Sequence, residues 1–154
     1  MSVTLAHLTE LTGLDVLDHL ERETTVPIVD GLQAQGDLIV VPLGLIPEVT
    51  VTTYARWRTV PGTGLELLRS ASGGNPHTLV ADHGTCAWTT ELRDPTGLAL
   101  GVLRTSAPAY LIHPEHGGSG IAPGHYVVRR QREGGGQSRR HSTTTSFGTR
   151  FIAD

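Results

Sequence analysis

Apolar and polar residues alternate with two different periods along this chain, and the change between them falls near residue 26. Before it, Leu5, Leu8, Leu11, Val16, Leu17 and Leu20 recur at spacings of three to five, with acids and histidines filling the gaps. That rhythm predicts one or two short amphipathic helices over about residues 4–22. Thr4 or Thr12 is placed to cap a turn, and Gly13 to break the run. The apolar stripe needs a cover, either the rest of the chain or a second copy.

From Pro27 onward the runs are short and bounded by glycine and proline. The stretch 37–42 reads as a buried strand, and Val49, Val51 and Thr53 alternate with Thr50, Thr52 and Tyr54. Further strands are predicted over 65–69, 77–81, 86–92, 98–104, 109–113 and 125–131. Turns such as Pro61-Gly62, Asp94-Pro95-Thr96-Gly97, His116-Gly117-Gly118 and Pro123-Gly124 separate them. About eight short strands punctuated in this way predict a mainly β fold, a compact antiparallel β barrel or sandwich. Residues 133–146 hold nothing that would anchor a core and read as a flexible linker, with a terminal strand or docking peptide over 147–152. The expected organisation is a helical segment over 1–26, a β domain over 27–132 and a flexible basic tail over 133–154.

Composition narrows the picture. At 154 residues the chain fits one domain, and with 5% aromatic residues its core must be aliphatic. The single cysteine, Cys86, excludes an internal disulfide and a Cys-rich zinc site, and it reads as a buried, inert thiol. No secretory leader or membrane-length apolar run is visible, so a cytoplasmic location is expected. All twelve basic residues are arginine. Six of them face thirteen acids over 1–128, and six face only Glu133 and Asp154 after that. The basic end is a weak footprint for nucleic acid, which is not expected as a partner, since no aromatic platform accompanies it. Arg129, Arg130 and Arg132 are instead candidates for pairing with acids or contacting a protein partner.

Three stretches together resemble an uncharacterised family of small bacterial proteins. They are Gln35-Gly-Asp-Leu-Ile-Val-Val-Pro42, His113-Pro-Glu-His116 and Ile121-Ala-Pro-Gly-His-Tyr-Val-Val-Arg-Arg-Gln-Arg-Glu133. The family pattern runs QGD, then GHAH, then HEEH, then PPGTYxVxRQRE. The resemblance covers about residues 35–133, and it implies a shared fold and a candidate site, with no reaction attached. This chain departs from the pattern at Asn75, which stands where the first histidine of GHAH would be, and in its longer Ser/Thr/Gly-rich ending.

The candidate chemistry lies in His77, His113 and His116. Imidazole is the commonest ligand for zinc and its neighbours, and three histidines plus water form a known catalytic arrangement. His77 opens one predicted strand and His113 closes another. A turn at Pro114-Glu115 lets His113 and His116 converge, which a straight strand would prevent. Asn75 is a weak fourth ligand, and Glu115 a supporting or general-base group. A divalent transition metal, zinc, iron or nickel, would be the cofactor. The competing reading is that these are solvated loop histidines, because HPEH lacks the helix of the zinc-protease motif. Asp82-His83 reads as a turn, and His125 as a solvated strand end. The glycine-rich stretches 61–64 and 117–120 lack a following helix that would cradle phosphate. Two function classes remain. A non-catalytic binding or assembly module, acting through protein–protein contacts or self-association, is favoured because no complete catalytic set can be assembled. The alternative is a His-ligated, cupin-like metal-binding β protein.

Overall fold

The computed structural model describes residues 3–14, 16, 23, 25–69 and 76–131. Among them are a single 3-10 turn over Leu43–Leu45 and one α-helix, α1 (Leu5–Thr12). Its local signals agree with one another. The Thr4 side chain caps the first turn by accepting from the His7 N–H at 3.1 Å. Gly13, at φ 73°, closes the last turn with its N–H on the Thr9 carbonyl at 2.8 Å. The expected second helical piece lies outside the described residues.

The strands follow in chain order: β1 (Ile28–Val29), β2 (Gln33–Gln35), β3 (Leu38–Pro42), β4 (Thr50–Val51), β5 (Arg58–Thr59), β6 (Leu65–Arg69) and β7 (Pro76–Ala81). After them come β8 (Cys86–Thr89), β9 (Leu92–Arg93), β10 (Ala99–Thr105), β11 (Ala109–His113), β12 (Gly117–Ile121) and β13 (Gly124–Arg130). One sheet has the order β1-β12-β11-β7-β6 and a second the order β2-β3-β13-β10-β8-β5, while β4 and β9 form a small ribbon. The protein is mainly β, as the alternation predicts. All pairings are antiparallel except β1 on β12, which is parallel.

Strand periodicity sorts the side chains into three layers. Leu38, Val40, Leu103, Tyr126 and Val128 of the six-stranded sheet share one core with Leu65, Leu79, Ala81, Ala109, Leu111 and Ile121 of the five-stranded sheet. The intervening residues of β7 and β11, Val80, Tyr110 and Ile112, point the other way and pack under Leu5, Leu8, Val16 and Val26. The helix stripe is therefore covered by the chain's own sheet. Each leucine so buried contributes about 1.5–3 kcal/mol. On the far side of the six-stranded sheet, Val102 and Val127 meet Ile46 and Val49.

Two expectations change. The alternation over 49–54 yields only the short β4, because Thr52 N–H turns to the Glu91 carbonyl and Ala55 N–H closes a turn on Thr52. The turn expected at His116-Gly117-Gly118 ends sooner, and Gly117 and Gly118 belong to strand β12. Its glycines serve close packing: a Cβ on Gly120 would sit 2.9 Å from the Pro27 carbonyl oxygen, so β1 approaches only because that position is bare.

Candidate functional site

Neighbouring strands bring the histidines together. In the β7–β11 ladder, Leu79 faces Leu111 and Thr78 faces Ile112, so one further step sets His77 beside His113. Both alternate in phase with Leu79 and Leu111, which turns their imidazoles toward the core between the sheets, at one end of it. They are 2% and 6% exposed, and their ring centroids lie 4.4 Å apart. The turn from β11 to β12 returns His116 to the same place, 4.6 Å from the His113 ring and 6.4 Å from the His77 ring. Inside that turn the Glu115 N–H donates to His113 Nδ1 at 3.0 Å, fixing the ring. Ligand atoms of His113, Glu115 and His116 all lie within 4.8 Å of one another.

The β2–β3 turn supplies residues that spacing alone does not single out. Gln35 stands opposite Leu38 and is buried among the core-facing side chains. Its Nε2 donates to the Leu111 carbonyl at 3.0 Å and the Gly117 carbonyl at 3.3 Å, which fixes the orientation of the amide. Oε1 then faces His77 Nδ1 at 3.0 Å. The other ring nitrogen, Nε2, lies 2.9 Å from Asp37 Oδ1. Between these two residues Gly36 takes φ +57°, and a Cβ there would fall 2.8 Å from His116 Nε2 and 3.3 Å from His77 Cε1. The turn must be glycine both for its left-handed backbone and for the room the rings need.

The electrostatics pull in opposite directions. Burial holds the His77 imidazole below its ordinary value. The hydrogen bond and charge of Asp37 raise it, and His116 lowers it again. A neutral ring carries a single N–H, which can serve Gln35 Oε1 from Nδ1 or Asp37 Oδ1 from Nε2, but not both. The other nitrogen then meets an oxygen, acceptor against acceptor. That point calls for a positive charge, either a proton or a cation. His113 carries a related constraint. While its Nδ1 accepts from Glu115, a neutral ring keeps its proton on Nε2, so coordination through His113 requires release of that turn bond.

The model of a domain of unknown function, DUF8820, matches residues 34–131. The chain belongs to this family. The matched span runs from the β2–β3 turn to just past β13, so every residue of the histidine cluster lies within the DUF8820 domain, while α1 and β1 precede it. No curated protein and no solved structure matches the chain. Among the described residues, no helix is long and apolar enough to cross a membrane.

The other candidates separate from the cluster. Asn75 and Arg132 lie outside the described residues, as does the tail over 133–154. Arg129 alternates with Val128 and so sits on the opposite face from the inter-sheet core. There it reaches Thr96 Oγ1 at 2.6 Å and Asp94 Oδ2 at 3.7 Å. With its side chain 17% exposed, Arg129 is engaged by the chain's own turn and is not held out to a partner. Arg130 is exposed at the end of β13. Asp82 and His83 occupy an exposed turn that the Thr85 hydroxyl closes onto the Asp82 carbonyl at 2.8 Å. Burial pushes the Cys86 thiol up to about 11, which keeps it protonated and unreactive. His125 is exposed beside a groove of about 420 Å³ that Thr59, Arg104 and Ser106 also line. The register places this groove at the opposite end of the six-stranded sheet from Leu38 and Gln35.

Proposed function

We propose that the DUF8820 domain is a metal-binding, cupin-like β sandwich that holds a divalent transition metal at the histidine end of its inter-sheet core. His77, His113 and His116 supply the nitrogen ligands, and Glu115 sits at the solvent side, either on the ion or on a water bound to it. The observation that carries this reading is the convergence of three imidazoles, one from β7 and two from the end of β11 and its following turn, with ring centroids 4.4, 4.6 and 6.4 Å apart. Histidines grouped this tightly repel one another when protonated, whereas neutral rings around a cation do not. A nitrogen-rich set with a carboxylate suits zinc, iron or nickel better than calcium or magnesium. The chemistry such an ion would supply is activation of a bound water or polarisation of a ligand oxygen.

The helix stripe, one attachment point of the assembly reading, is spent within the chain, where Leu5 and Leu8 pack on Val80, Tyr110 and Ile112. Elemental analysis of tagless protein tests the metal reading. Wild type should retain stoichiometric zinc, nickel or iron, and His116→Ala, an exposed change, should lose it while melting at a similar temperature. Failure of wild type to take up any of the three ions after reconstitution sinks the reading.

A further inference from the structure

We infer that Asp37 is a direct ligand of the ion, and that Gln35 sets His77 to bind it through Nε2. This inference rests on the metal reading and adds to it a residue from the β2–β3 turn.

Three observations carry it. The first is the count of donors. Gln35 Oε1 and Asp37 Oδ1 flank the His77 ring at 3.0 and 2.9 Å, and both are acceptors. The Gln35 amide cannot turn over to become a donor, because its Nε2 already serves the Leu111 and Gly117 carbonyls. With a cation at Nε2, the single N–H of the neutral ring lies on Nδ1 and is held by Gln35, as in metal-bound histidines whose second nitrogen is held by an oxygen acceptor. Nε2 is then the ligand atom on the Asp37 side.

The second is spacing. Nitrogen and oxygen ligands bound at ~2.1 Å stand ~3 Å apart across a right angle and ~3.4 Å apart in a tetrahedron. The 2.9 Å between Nε2 and Oδ1 is close to the first of these, and the half-exposed carboxylate has only to swing off the Nε2 lone-pair axis to admit the ion. The third is access. The Asp37 side chain is 50% exposed while His77 is 2% exposed, so an ion arriving from solvent meets the carboxylate first and the buried ring behind it. The groups facing His77 are Asp37 and Gln35, with the rings of His113 and His116 beside them.

Asp37→Asn tests the assignment in the full chain, by calorimetric titration with zinc and by the visible spectrum of the cobalt(II) form. The substitution keeps the side chain's size, and its amide N–H can donate to the Nε2 lone pair. Zinc affinity should fall at least tenfold and the cobalt spectrum should shift, while the metal-free variant melts no lower than wild type at pH 8. Zinc affinity equal to that of wild type overturns the inference and makes Asp37 the ion-pair partner of a protonated His77. Asp37→Glu, which restores the carboxylate one methylene further out, should recover part of the affinity; recovery no better than in Asp37→Asn also counts against ligation. Absence of zinc and cobalt binding in wild type would overturn the metal reading itself, a result distinct from either.

Discussion

Two polar clusters in this fold differ in how their atoms are matched. At the Asp94 turn, the carboxylate accepts from the Thr96 N–H at 3.0 Å, the Thr96 hydroxyl at 2.8 Å and the Ala99 N–H at 2.8 Å. Arg129 closes over it, leaving only its Nε without a partner among the described residues. Burial pushes the Asp94 carboxyl up, but the bonds from Thr96 and Ala99 and the Arg129 charge outweigh it and hold the group below its ordinary value. At the histidine end a neutral His77 ring, with one N–H, stands between two acceptors, and three rings crowd together. A cluster whose donors and acceptors balance within the chain staples a turn. A cluster with a surplus of acceptors has chemistry left over for something outside it.

Substitutions at the two clusters should separate stability from metal retention. Asp94→Ala strips the acceptor from three donors and should cost about 2–3 kcal/mol in thermal or denaturant unfolding, with metal content unchanged. Because the folded carboxyl titrates below its unfolded value, its contribution is present above roughly pH 4 and is lost as pH falls through the folded value. The stability curves of wild type and Asp94→Asn should therefore converge in acid; curves that stay parallel would remove the ion-pair account. Gln35→Leu deprives the Leu111 and Gly117 carbonyls of their donor and should cost about 1–3 kcal/mol. It should also weaken zinc binding 10–100-fold, the effect expected when the support of a ligand is removed. Gly36→Ala forces a left-handed alanine against His116 and should cost about 1–2 kcal/mol, with weaker zinc binding in calorimetry. His125→Ala, at the other end of the sheet, should change stability by less than about 0.5 kcal/mol and leave metal content alone. A metal loss in this last variant would dissolve the contrast between the two clusters.

The legible parts of the molecule were those governed by local pattern. Strands β6 and β11 coincide with their predicted spans, α1 starts at Thr4 and stops at Gly13, and the HPEH turn shows in the sequence as a device for bringing two histidines to one place. What stayed hidden depends on register. Gln35 and Asp37 appear in the sequence only as part of a family resemblance. Their partner His77 lies about forty positions away, and nothing local reveals that β2 ends opposite the His77–His113 pair. Strand β12 escaped because glycine lowers strand propensity, and its reason for being glycine, the approach of β1, is a tertiary contact. Arg129 and Arg130 are adjacent and alike in sequence, yet the pleat sends one to the Asp94 turn and leaves the other at the open end of β13.

The parallel pairing of β1 on β12, with α1 laid across Val80, Tyr110 and Ile112, has a practical consequence. Both pieces precede residue 34, where the DUF8820 match begins. A polypeptide trimmed to the matched span would uncover an aliphatic and aromatic patch and bare a glycine-rich strand with unpaired backbone groups. Such a fragment should form oligomers or fibrils in light scattering where the intact chain does not. In the intact chain, α1 and β1 thus screen an apolar face and a strand edge of the sheet that bears His77 and His113.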